Sequence, residues 1–521
     1  MLDPALRAAL ADPAFYPEPT TRVEVRETHI SLVFLTDRYA YKLKKPVDLG
    51  FLDYSTLARR RFYCLQELLL NRRLSPDVYL AVLPIRRGPQ GYVLDGEGAL
   101  VDYVLKMRRL PDERTLQSLL QRGEVPLPVL ERLAQQLAAF HQAHPLPTPV
   151  TGYGSLAQVR HDWEENFAQA QTACPAAVLP PAQAQQIREA VQDFLARRAG
   201  WFAQRCDAGR IRDCHGDLRA EHIYLLPDGE LRILDCIEFN KRFRYIDVAS
   251  EVAFLAMDLE RLGFASLAHG FVAAYARTAH DASLYRLLDF YVCYRAYVRG
   301  KVACLRLREA PGQEEVARDA ARCFALAARY AARCRRPLLL LTSGLIGSGK
   351  STLAAGLAAA LDLRRFSSDC LRKQLAGLAP ETPQRVAYGT GIYSAEATRR
   401  TYERLAELAE AALHQGESVI LDASFAKRAE RQRCQALAAR LGAECFVLEC
   451  LAPPEVIRQR LAARQHQPSV SDGRWELFAA FQRDYEPVTE FDPAHHLRIA
   501  TTGDAERSLY EALAAIHAGR S

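Results

Sequence analysis

The chain of 521 residues is too long for one hydrophobic core, so we expect two or three domains, and its 49% apolar and 25% charged residues are typical of a globular protein. It contains no run of eighteen apolar residues and no secretion signal at its start, which argues against a membrane protein and favours the cytoplasm. The net charge of +6 is not gathered into one block and the thirteen cysteines show no paired CxxC spacing, which argues against a duplex-binding protein, a zinc site and a disulfide framework.

The first half begins with a small sheet and continues as a mostly helical region. Residues 22–108 alternate apolar and polar letters in short runs, interrupted by the helical stretch "TLARRRFYCLQELLLNRRL". From about 112 to 335 the pattern is helical, except for "HIYLLPDGELRILD" at 222–235. The Pro-Asp-Gly turn in that segment predicts a hairpin of two short strands.

A lysine and a glutamate of the first half have the placement of a nucleotide-binding ion pair. Lys42 lies on a predicted strand and Glu67 on the predicted helix, so Lys42 could hold the α- and β-phosphates of ATP while Glu67 positions it. Lys44 shares the strand face of Lys42, and Lys45 follows. A solvated strand lysine is the alternative interpretation for each of them.

The segment "DCHGDLRAEH" has the pattern of a phosphotransferase catalytic loop. Asp217 is the candidate base that orients an acceptor hydroxyl, and His215 would support the loop backbone. Asp235, eighteen residues after Asp217, stands where a metal-binding carboxylate belongs, and Asp247 could brace the loop from a helix start. Five residues after Asp217, where the kinase pattern has Asn, the chain has His222.

The histidine at position 222 leaves three hypotheses open. An imidazole nitrogen is a poor ligand for Mg²⁺ and a better ligand for Mn²⁺. Glu221 or Glu238 could supply the missing oxygen; the site could use one metal or prefer Mn²⁺; or the domain could bind nucleotide without turning it over. The first two are favoured because Lys42, Glu67, Asp217 and Asp235 are all present.

The second half begins with a buried strand, a glycine-rich turn and a helix. The string "GLIGSGKS" at 344–351 fits G-x-x-x-x-G-K-[ST] in the strand-to-helix context that this motif requires. Predicted strands at 418–423 and 445–450 alternate with helices, which indicates a parallel sheet. The motif predicts a cradle for ATP phosphates, with Ser351 as a Mg²⁺ ligand. Its predicted phosphate-binding residues are Gly344, Gly347, Ser348, Gly349, Lys350, Ser351 and Thr352.

Further charged residues could build an acceptor site beside this cradle. Asp369 follows a probable strand and could deprotonate an acceptor hydroxyl, while Arg372 would stabilise the transferred charge. Asp422 ends another strand and is a candidate metal ligand or acceptor-site carboxylate. Arg460 and Arg464 lie four residues apart on one helical face. The alternatives are helix-capping aspartates and a solvated basic face.

These motifs resemble two known kinase groups. Over 338–520 the order P-loop, D-x-x-R, strand-borne Asp and Arg-rich helix resembles the P-loop kinases that include gluconate kinase, chloramphenicol phosphotransferase, polynucleotide 5′-kinase and zeta toxins, which close an arginine-bearing lid over ATP. The H-G-D loop resembles the aminoglycoside phosphotransferase-like superfamily. The whole chain resembles the bacterial bifunctional aminoglycoside phosphotransferase/ATP-binding proteins. The family label describes the fold, and antibiotic modification does not follow from it.

The patterns and the resemblance together predict two domains. Residues 1–335 form an α+β two-lobed kinase-like domain, with a sheet lobe at about 22–108 and a helical lobe at about 109–335; residues 336–521 form an α/β P-loop kinase domain. The expected function is ATP- and Mg²⁺-dependent phosphoryl transfer to a hydroxyl of a small molecule. The alternatives are a nucleic-acid 5′-hydroxyl kinase in the second half, a nucleotide-sensing regulator with an inactive first half, and one domain that phosphorylates or gates the other.

Overall fold

The computed structural model describes residues 3–50, 52–147, 152–309, 312–464 and 470–520. The chain packs into two compact units, the first formed by Met1–His161 with Phe202–Phe264 and the second by Asp162–Trp201 with Ala265–Ser521. These units describe packing, and the domain boundary expected near residues 335–337 stays a prediction.

An antiparallel sheet of the first unit carries the two lysines of interest. Its strands among the described residues are β1 (Glu24–Glu27), β2 (Ser31–Leu35), β3 (Tyr39–Lys44), β4 (Tyr79–Gly88), β5 (Gly91–Leu94) and β6 (Ala99–Arg108). Their order is β1-β2-β3-β6-β4-β5. Tyr41 and Leu43 of β3 lie in a core with Leu6 and Leu10. Because side chains alternate along a strand, Lys42 and Lys44 point to the opposite face.

Helices and two small strand pairs complete the part of the chain before residue 262. The helices are α1 (Pro4–Ala11), α2 (Leu57–Arg72), α3 (Leu116–Gln121), α4 (Leu127–Ala143), α5 (Leu156–Ala173), α6 (Pro181–Arg197), α7 (Ala199–Asp207) and α8 (Val248–Arg261). The predicted hairpin forms from β8 (Ile223–Leu225) and β9 (Leu231–Ile233), and β7 (Ile211–Asp213) pairs with β10 (Tyr245–Asp247). The hairpin separates the H-G-D loop from Asp235, as the sequence predicts.

A parallel sheet lies in the second unit. Its described strands are β11 (Leu338–Ser343), β12 (Arg364–Ser367), β13 (Val419–Asp422), β14 (Glu444–Leu451) and β15 (His496–Ala500), in the order β12-β13-β11-β14-β15. Leu338 and Leu340 belong to the core on one face of the sheet, and Leu339 and Leu341 to the core on the other. A strand buried on both faces reads as a continuous apolar run, which explains the letters "LLLL".

The helices of the second unit after residue 264 include the one that begins at the glycine-rich loop. They are α9 (Ala265–Thr278), α10 (Leu284–Glu309), α11 (Glu314–Arg335), α12 (Lys350–Leu361), α13 (Ser368–Leu375), α14 (Ala395–His414), α15 (Arg428–Leu441), α16 (Pro454–Arg464), α17 (Phe478–Asp484) and α18 (Ala505–Gly519). The loop between β11 and α12 lies at the carboxyl edge of the sheet, where open α/β folds bind ligands. No described helix is both long and apolar enough to cross a lipid bilayer.

Candidate functional site

Lys42 lies between two carboxylates in the first unit. Its Nζ donates to Oε1 of Glu67 on α2 at 2.8 Å and to Oδ1 of Asp235 at 2.7 Å. The charge of Lys42 is the main cause that holds the pKa of Asp235 well below its usual value. The structure therefore brings together three residues that lie far apart in the sequence and that we expected at one nucleotide site.

Lys44 shares Glu67 with Lys42 but is fully buried. Its Nζ donates to Oε2 of Glu67 at 2.6 Å and to the hydroxyl of Tyr54 at 3.3 Å, and it also contacts Glu238. The side chain of Lys44 is 1% exposed and that of Lys42 is 15% exposed, so Lys42 is the lysine that a ligand can reach. Glu238, one of the two carboxylates considered for the metal site, is bound to Lys44 and Tyr54.

His215 ties the H-G-D loop to the backbone beside Asp235. Its Nε2 lies 2.9 Å from the carbonyl oxygen of Leu234, and its Nδ1 accepts from the backbone N–H of Asp217 at 3.3 Å. Burial lowers the pKa of His215 to about 4, so the ring is neutral at pH 7. A neutral ring with its proton on Nε2 satisfies both contacts. His215 thus occupies the supporting position that we expected for it.

Two carboxylates of α8 hold the backbone of the same loop. Glu251 accepts from the N–H groups of His215 at 2.8 Å and Gly216 at 3.0 Å, and Asp258 accepts from the N–H of Ala220 at 2.9 Å. Sequence reasoning missed both. Their spacing of seven residues, which places them on one helical face, was the available signal.

Asp247, which we expected to brace the loop, has other partners. It accepts from the N–H of Ala249 at 2.8 Å, as the N-cap of α8, and pairs with Arg205 at 2.9 Å. The expectation was wrong because the bracing carboxylate lies one helical turn further on, at Glu251.

Arg219 holds the candidate base Asp217 in a two-point contact. Its Nε donates to Oδ1 of Asp217 at 3.0 Å and its Nη2 to Oδ2 at 2.9 Å. The same guanidinium contacts Glu221, and its Nη2 lies 3.1 Å from Nε2 of His222. A carboxylate with both oxygens held by a guanidinium is a weak proton acceptor. In this arrangement Asp217 is better suited to orient a hydroxyl than to remove its proton.

His222 lies among oxygen atoms that could join a metal site. Its Nδ1 donates to the carbonyl oxygen of Asp217 at 3.0 Å, while its Nε2 is 3.9 Å from Oδ2 of Asp235 and 4.0 Å from Oε1 of Glu221. Burial is the main cause that lowers the pKa of His222, which favours the neutral ring. The two carboxylates suit Mg²⁺, and one imidazole nitrogen beside them is better tolerated by Mn²⁺.

The glycine-rich loop of the second unit requires glycine at particular positions. Gly344 has a φ of 132°, and a Cβ there would lie 2.7 Å from the carbonyl oxygen of Cys450. Gly349 has a φ of 93°, and a Cβ there would lie 3.2 Å from the side chain of Thr501. Both conformations are open to glycine and costly for other residues. The loop therefore has the tight backbone that a phosphate cradle needs.

Lys350 and Ser351 open α12 directly after this loop. Nζ of Lys350 donates to the carbonyl oxygen of Leu345 at 2.6 Å, and burial is the main cause that lowers the pKa of Lys350. Oγ of Ser351 donates to Oδ1 of Asp422 at 3.0 Å. A hydroxyl beside a carboxylate is an oxygen donor set that fits Mg²⁺. The remaining predicted phosphate-binding residues lie on the same loop and first turn: Gly347, Ser348 and Thr352.

Asp369 lies close to these groups and to Arg372, whose own side chain is buried. Burial is the main cause that raises the pKa of Asp369, while a hydrogen bond from Ser471 and the charge of Arg372 oppose it. Arg372 is 7% exposed, and its Nη1 donates to the carbonyl oxygen of Ile392 at 2.8 Å and to Oγ1 of Thr398 at 2.9 Å. Its contact with a transferred phosphoryl group stays a prediction.

The two arginines of α16 lie near the glycine-rich loop. Nη1 of Arg460 lies 3.4 Å from the position that a Cβ would take at Gly349, and Nη2 contacts the carbonyl oxygen of Thr501. The charge of Arg464 acts on Lys350. Residues 465–469, in the loop expected to form a lid, lie outside the described residues.

Two family models match this chain. The phosphotransferase enzyme family matches residues 84–291, and an AAA domain matches residues 339–488. The first match contains the H-G-D loop and Asp235, and the second contains the glycine-rich loop and Asp422. The predicted fold class, a two-lobed kinase-like domain followed by a P-loop kinase domain with a parallel sheet, is confirmed.

Solved structures match each part at low overall similarity. A choline/ethanolamine kinase family protein from Mesorhizobium loti is 14% identical with a TM-score of 0.38, over 64% of this chain and 99% of that chain. A gluconokinase from Sinorhizobium meliloti is 17% identical with a TM-score of 0.27, over 35% of this chain and 93% of that chain.

Curated relatives from mycobacteria match almost the whole length. An uncharacterized protein of Mycobacterium tuberculosis strain H37Rv and one of Mycobacterium bovis are each 34% identical over 490 residues, which is 94% of this chain and 94% of each relative. The chain therefore belongs to the family of these mycobacterial proteins, with a phosphotransferase-family domain followed by a P-loop AAA domain, the composition of an ATP-dependent kinase.

Proposed function

We propose that the protein transfers the γ-phosphoryl group of ATP to a hydroxyl group of a small molecule, such as a sugar, an aminoglycoside-like compound or a nucleoside, and that it has two nucleotide sites. The observation that carries this proposal is the position of Lys42, whose Nζ lies within 2.8 Å of both Glu67 and Asp235. His215 links the loop of Asp217 to the residue before Asp235. These contacts favour a working phosphoryl-transfer site over a chance occurrence of the letters H-G-D.

In the first site, each residue has a distinct role. Lys42 holds the α- and β-phosphates and Glu67 fixes the lysine. Asp217 orients the acceptor hydroxyl, while Arg219 keeps that carboxylate charged and in place. Asp235, with Glu221 or His222, would hold the metal ion, which would neutralise charge on the transferring group.

In the second site, the loop N–H groups and Lys350 bind the β- and γ-phosphates. Ser351 and Asp422 would hold Mg²⁺, and their contact at 3.0 Å supports that assignment. Asp369 accepts the proton of the acceptor hydroxyl, since its raised pKa makes it a better proton acceptor than an ordinary aspartate. Arg460 and Arg464 add positive charge beside the loop.

One contact favours a second candidate function for the first unit. Arg219 holds both oxygens of Asp217, an arrangement that also suits a domain that binds nucleotide without turning it over. In that case the first unit would be a nucleotide sensor and the second unit would carry the chemistry.

ATP consumption and product formation separate these functions. The full chain is assayed with Mg²⁺ and with Mn²⁺ against aminoglycosides, sugars, nucleosides and 5′-hydroxyl oligonucleotides, as wild type, Asp217→Asn and Lys350→Ala. We expect Asp217→Asn to reduce turnover at the first site, and Lys350→Ala turnover at the second site, by at least a hundredfold. Asp228→Asn and Lys241→Ala, at exposed positions, are the matched controls.

The outcomes assign the roles directly. Loss of all turnover in Lys350→Ala alone makes the first unit a sensor. Salt-sensitive phosphorylation of oligonucleotides in preference to every small molecule favours the nucleic-acid kinase. Full activity in both variants would refute the two-site proposal.

A further inference from the structure

A cavity in the second unit lies far from the glycine-rich loop. Its walls come from α6, α7, α10 and α11, and its floor from the start of β11 and the end of α12. Leu338 and Leu361 both line it, and the loop lies at the opposite end of β11 and α12. A strand of six residues and a helix of twelve each span roughly 17–20 Å, so the two places are distinct.

The lining of this cavity is strongly basic. Among the described residues that line it are seven arginines, against two aspartates, Asp193 and Asp289. Asp193 accepts from Arg197 at 2.7 Å, and Asp289 accepts from Arg520 at 2.7 Å. Even with Glu444 behind Arg520, and with Asp362 and Glu417 near Arg198, the seven arginines of the lining outnumber the carboxylates around them.

Arg333 is buried in the cavity wall, and two of its hydrogen-bond donor atoms have no partner among the described residues. It is 5% exposed, and its Nη2 contacts the carbonyl oxygen of Arg520. Its Nε and Nη1 have no hydrogen-bond partner among the described residues, and the nearest carboxylate oxygen, on Asp289, is 3.8 Å from Nη1. The hydroxyl of Tyr285, which also lines the cavity, is likewise buried with no hydrogen-bond partner in the described chain. Within the described residues, Oδ1 of Asp289 is also buried without a hydrogen-bond partner and is the nearest internal acceptor for Nη1, but Nε of Arg333 has none. Leaving buried donors unsatisfied is costly, so this wall is suited to an acceptor that comes from outside the chain.

A second cation faces the cavity beside an aromatic ring. Arg198 makes no ion pair with a described carboxylate; it donates to the carbonyl oxygen of Gly416 at 3.1 Å and lies over the ring of Trp201 at 4.8 Å. Burial is the main cause that lowers the pKa of Arg198, and the charges of Asp362, Glu417 and Asp193 oppose this effect without cancelling it. Trp201 is anchored by its Nε1, which donates to Asp362 at 2.7 Å.

We propose that this cavity is a binding site for a phosphate-bearing small molecule, separate from both nucleotide sites. A phosphate group accepts several hydrogen bonds, so it can satisfy the unbonded donors of Arg333 and form an ion pair with Arg198. The seven arginines exceed what the two aspartates of the lining can neutralise, which favours a ligand with more than one negative charge.

Tryptophan fluorescence of the full chain gives a local test, because Trp201 lines the cavity. Pyrophosphate is titrated into a Lys42→Met/Lys350→Ala double variant, so that neither nucleotide site contributes. We expect a saturable change in emission, which is absent in Trp201→Phe, while equilibrium dialysis of Trp201→Phe still shows bound pyrophosphate. Inorganic phosphate and ATP, as further arms, distinguish a simple anion from a nucleotide as the ligand.

Two charge reversals on α11 provide the matched comparison. Arg335 is exposed and lines the cavity, whereas Arg322 is exposed on the same helix and does not. We expect Arg335→Glu and Arg198→Gln to raise the dissociation constant about tenfold or more, as for the loss of one charged hydrogen bond, and Arg322→Glu to leave it unchanged. No saturable binding at millimolar pyrophosphate, or equal effects of Arg335→Glu and Arg322→Glu, would overturn the proposal.

Discussion

Glu67 receives both lysines of β3, one on each carboxylate oxygen. The two lysines nevertheless differ in surroundings, since Lys44 is enclosed with Glu67, Tyr54 and Glu238 while Lys42 also reaches Asp235. One ion pair can therefore serve the chemistry and the other the stability of the same sheet.

Substitution of each lysine by methionine should separate these two roles. Lys42→Met should abolish turnover at the first site and lower the free energy of unfolding less than Lys44→Met does, because Glu67 keeps Lys44 and the side chain of Asp235 is half-exposed. Lys44→Met should cost about 3–5 kcal/mol, because it leaves the buried carboxylate of Glu238 without its cation and removes one of the two cations bound to Glu67. Urea unfolding and ATP turnover in a Lys350→Ala background measure both. Lost activity with unchanged stability in Lys44→Met would contradict this assignment.

Two buried histidines should make the protein less stable in acid. Burial lowers the pKa of His215 to about 4 and that of His141 to about 3, against a usual value of 6.5. Below pH 6.5 the unfolded chain takes up protons that the folded chain excludes, so the free energy of unfolding falls as the pH drops from 6.5 towards 4 and is constant above 6.5 as far as these groups decide it. For His215 alone the loss is about 3 kcal/mol.

Urea unfolding at pH 7.0, 5.5 and 4.5 measures this slope. His215→Asn should flatten it by about one proton, and His161→Gln, at an exposed position, should leave it unchanged. If the free energy of unfolding stayed constant between pH 7.0 and 4.5, these rings would take up protons as readily in the folded chain as in the unfolded chain, which would contradict the prediction.

Much of the first site could be predicted from single residues, and some of it could not. Lys42, Glu67 and Asp235 were predicted from the order of their elements: a lysine on a strand, a glutamate on the next helix, and a carboxylate after the hairpin that follows the H-G-D loop. Arg219 and Glu251 were not, because an arginine two residues from an aspartate and a glutamate in an apolar helix are common without any shared role. Their importance arises from a contact across the loop.

At the scale of elements, the junction of β11 and α12 sets the geometry of the second site. Gly349 has a φ of 93° and is enclosed by Thr501 and Arg460. The N-terminus of α12 presents its free N–H groups at this point. The shape of one turn thus determines whether those donors can meet a phosphate.

Gly349→Ala should therefore weaken ATP binding at the second site by at least tenfold, because the added methyl would strain the turn and lie 3.2 Å from Thr501 and 3.4 Å from Arg460. Gly442→Ala is the matched control: its φ is 65°, with no atom within 4 Å of the added Cβ. Both should cost stability by about 1–3 kcal/mol. Equal ATP affinity in the two variants would show that the turn is not a ligand site.

Helices and strands were predicted correctly where the sequence pattern is compatible with only one kind of element. The run "LLLL" of β11 and the Pro-Asp-Gly hairpin have few alternatives, and both form as predicted. Asp247 was misjudged because an aspartate before a helix satisfies the N-cap, and sequence alone does not tell which carboxylate of the helix reaches the neighbouring loop.

At the scale of the molecule, the second unit joins helices before residue 335 to the P-loop sheet. Ala276 of α9 belongs to the same core as Leu338 and Leu340. Arg286 of α10 donates to the carbonyl oxygen of Ala360 at 2.7 Å, which satisfies a free carbonyl at the end of α12. A change in the sequence pattern predicts a domain boundary near residue 335. Such a change does not indicate how closely the elements on its two sides pack.

Two fragments test the importance of this packing. Residues 265–521 should unfold at a higher temperature than residues 336–521, because the shorter fragment exposes the surface covered by α9, α10 and α11 and loses the bond between Asp289 and Arg520. Thermal unfolding followed by circular dichroism compares them. Equal midpoints would support the boundary near residue 335 as an independent folding limit.

The shared carboxylate of Glu67 also has a consequence for genetic experiments. In a library of random substitutions, cells degrade destabilised variants, so changes at Lys44 would reduce the amount of protein. Changes at Lys42 would leave abundant protein that does nothing at the first site. A screen scored by protein abundance would detect only Lys44, and a screen scored by growth would detect both, so the comparison of the two maps would reveal which of two neighbouring lysines serves catalysis.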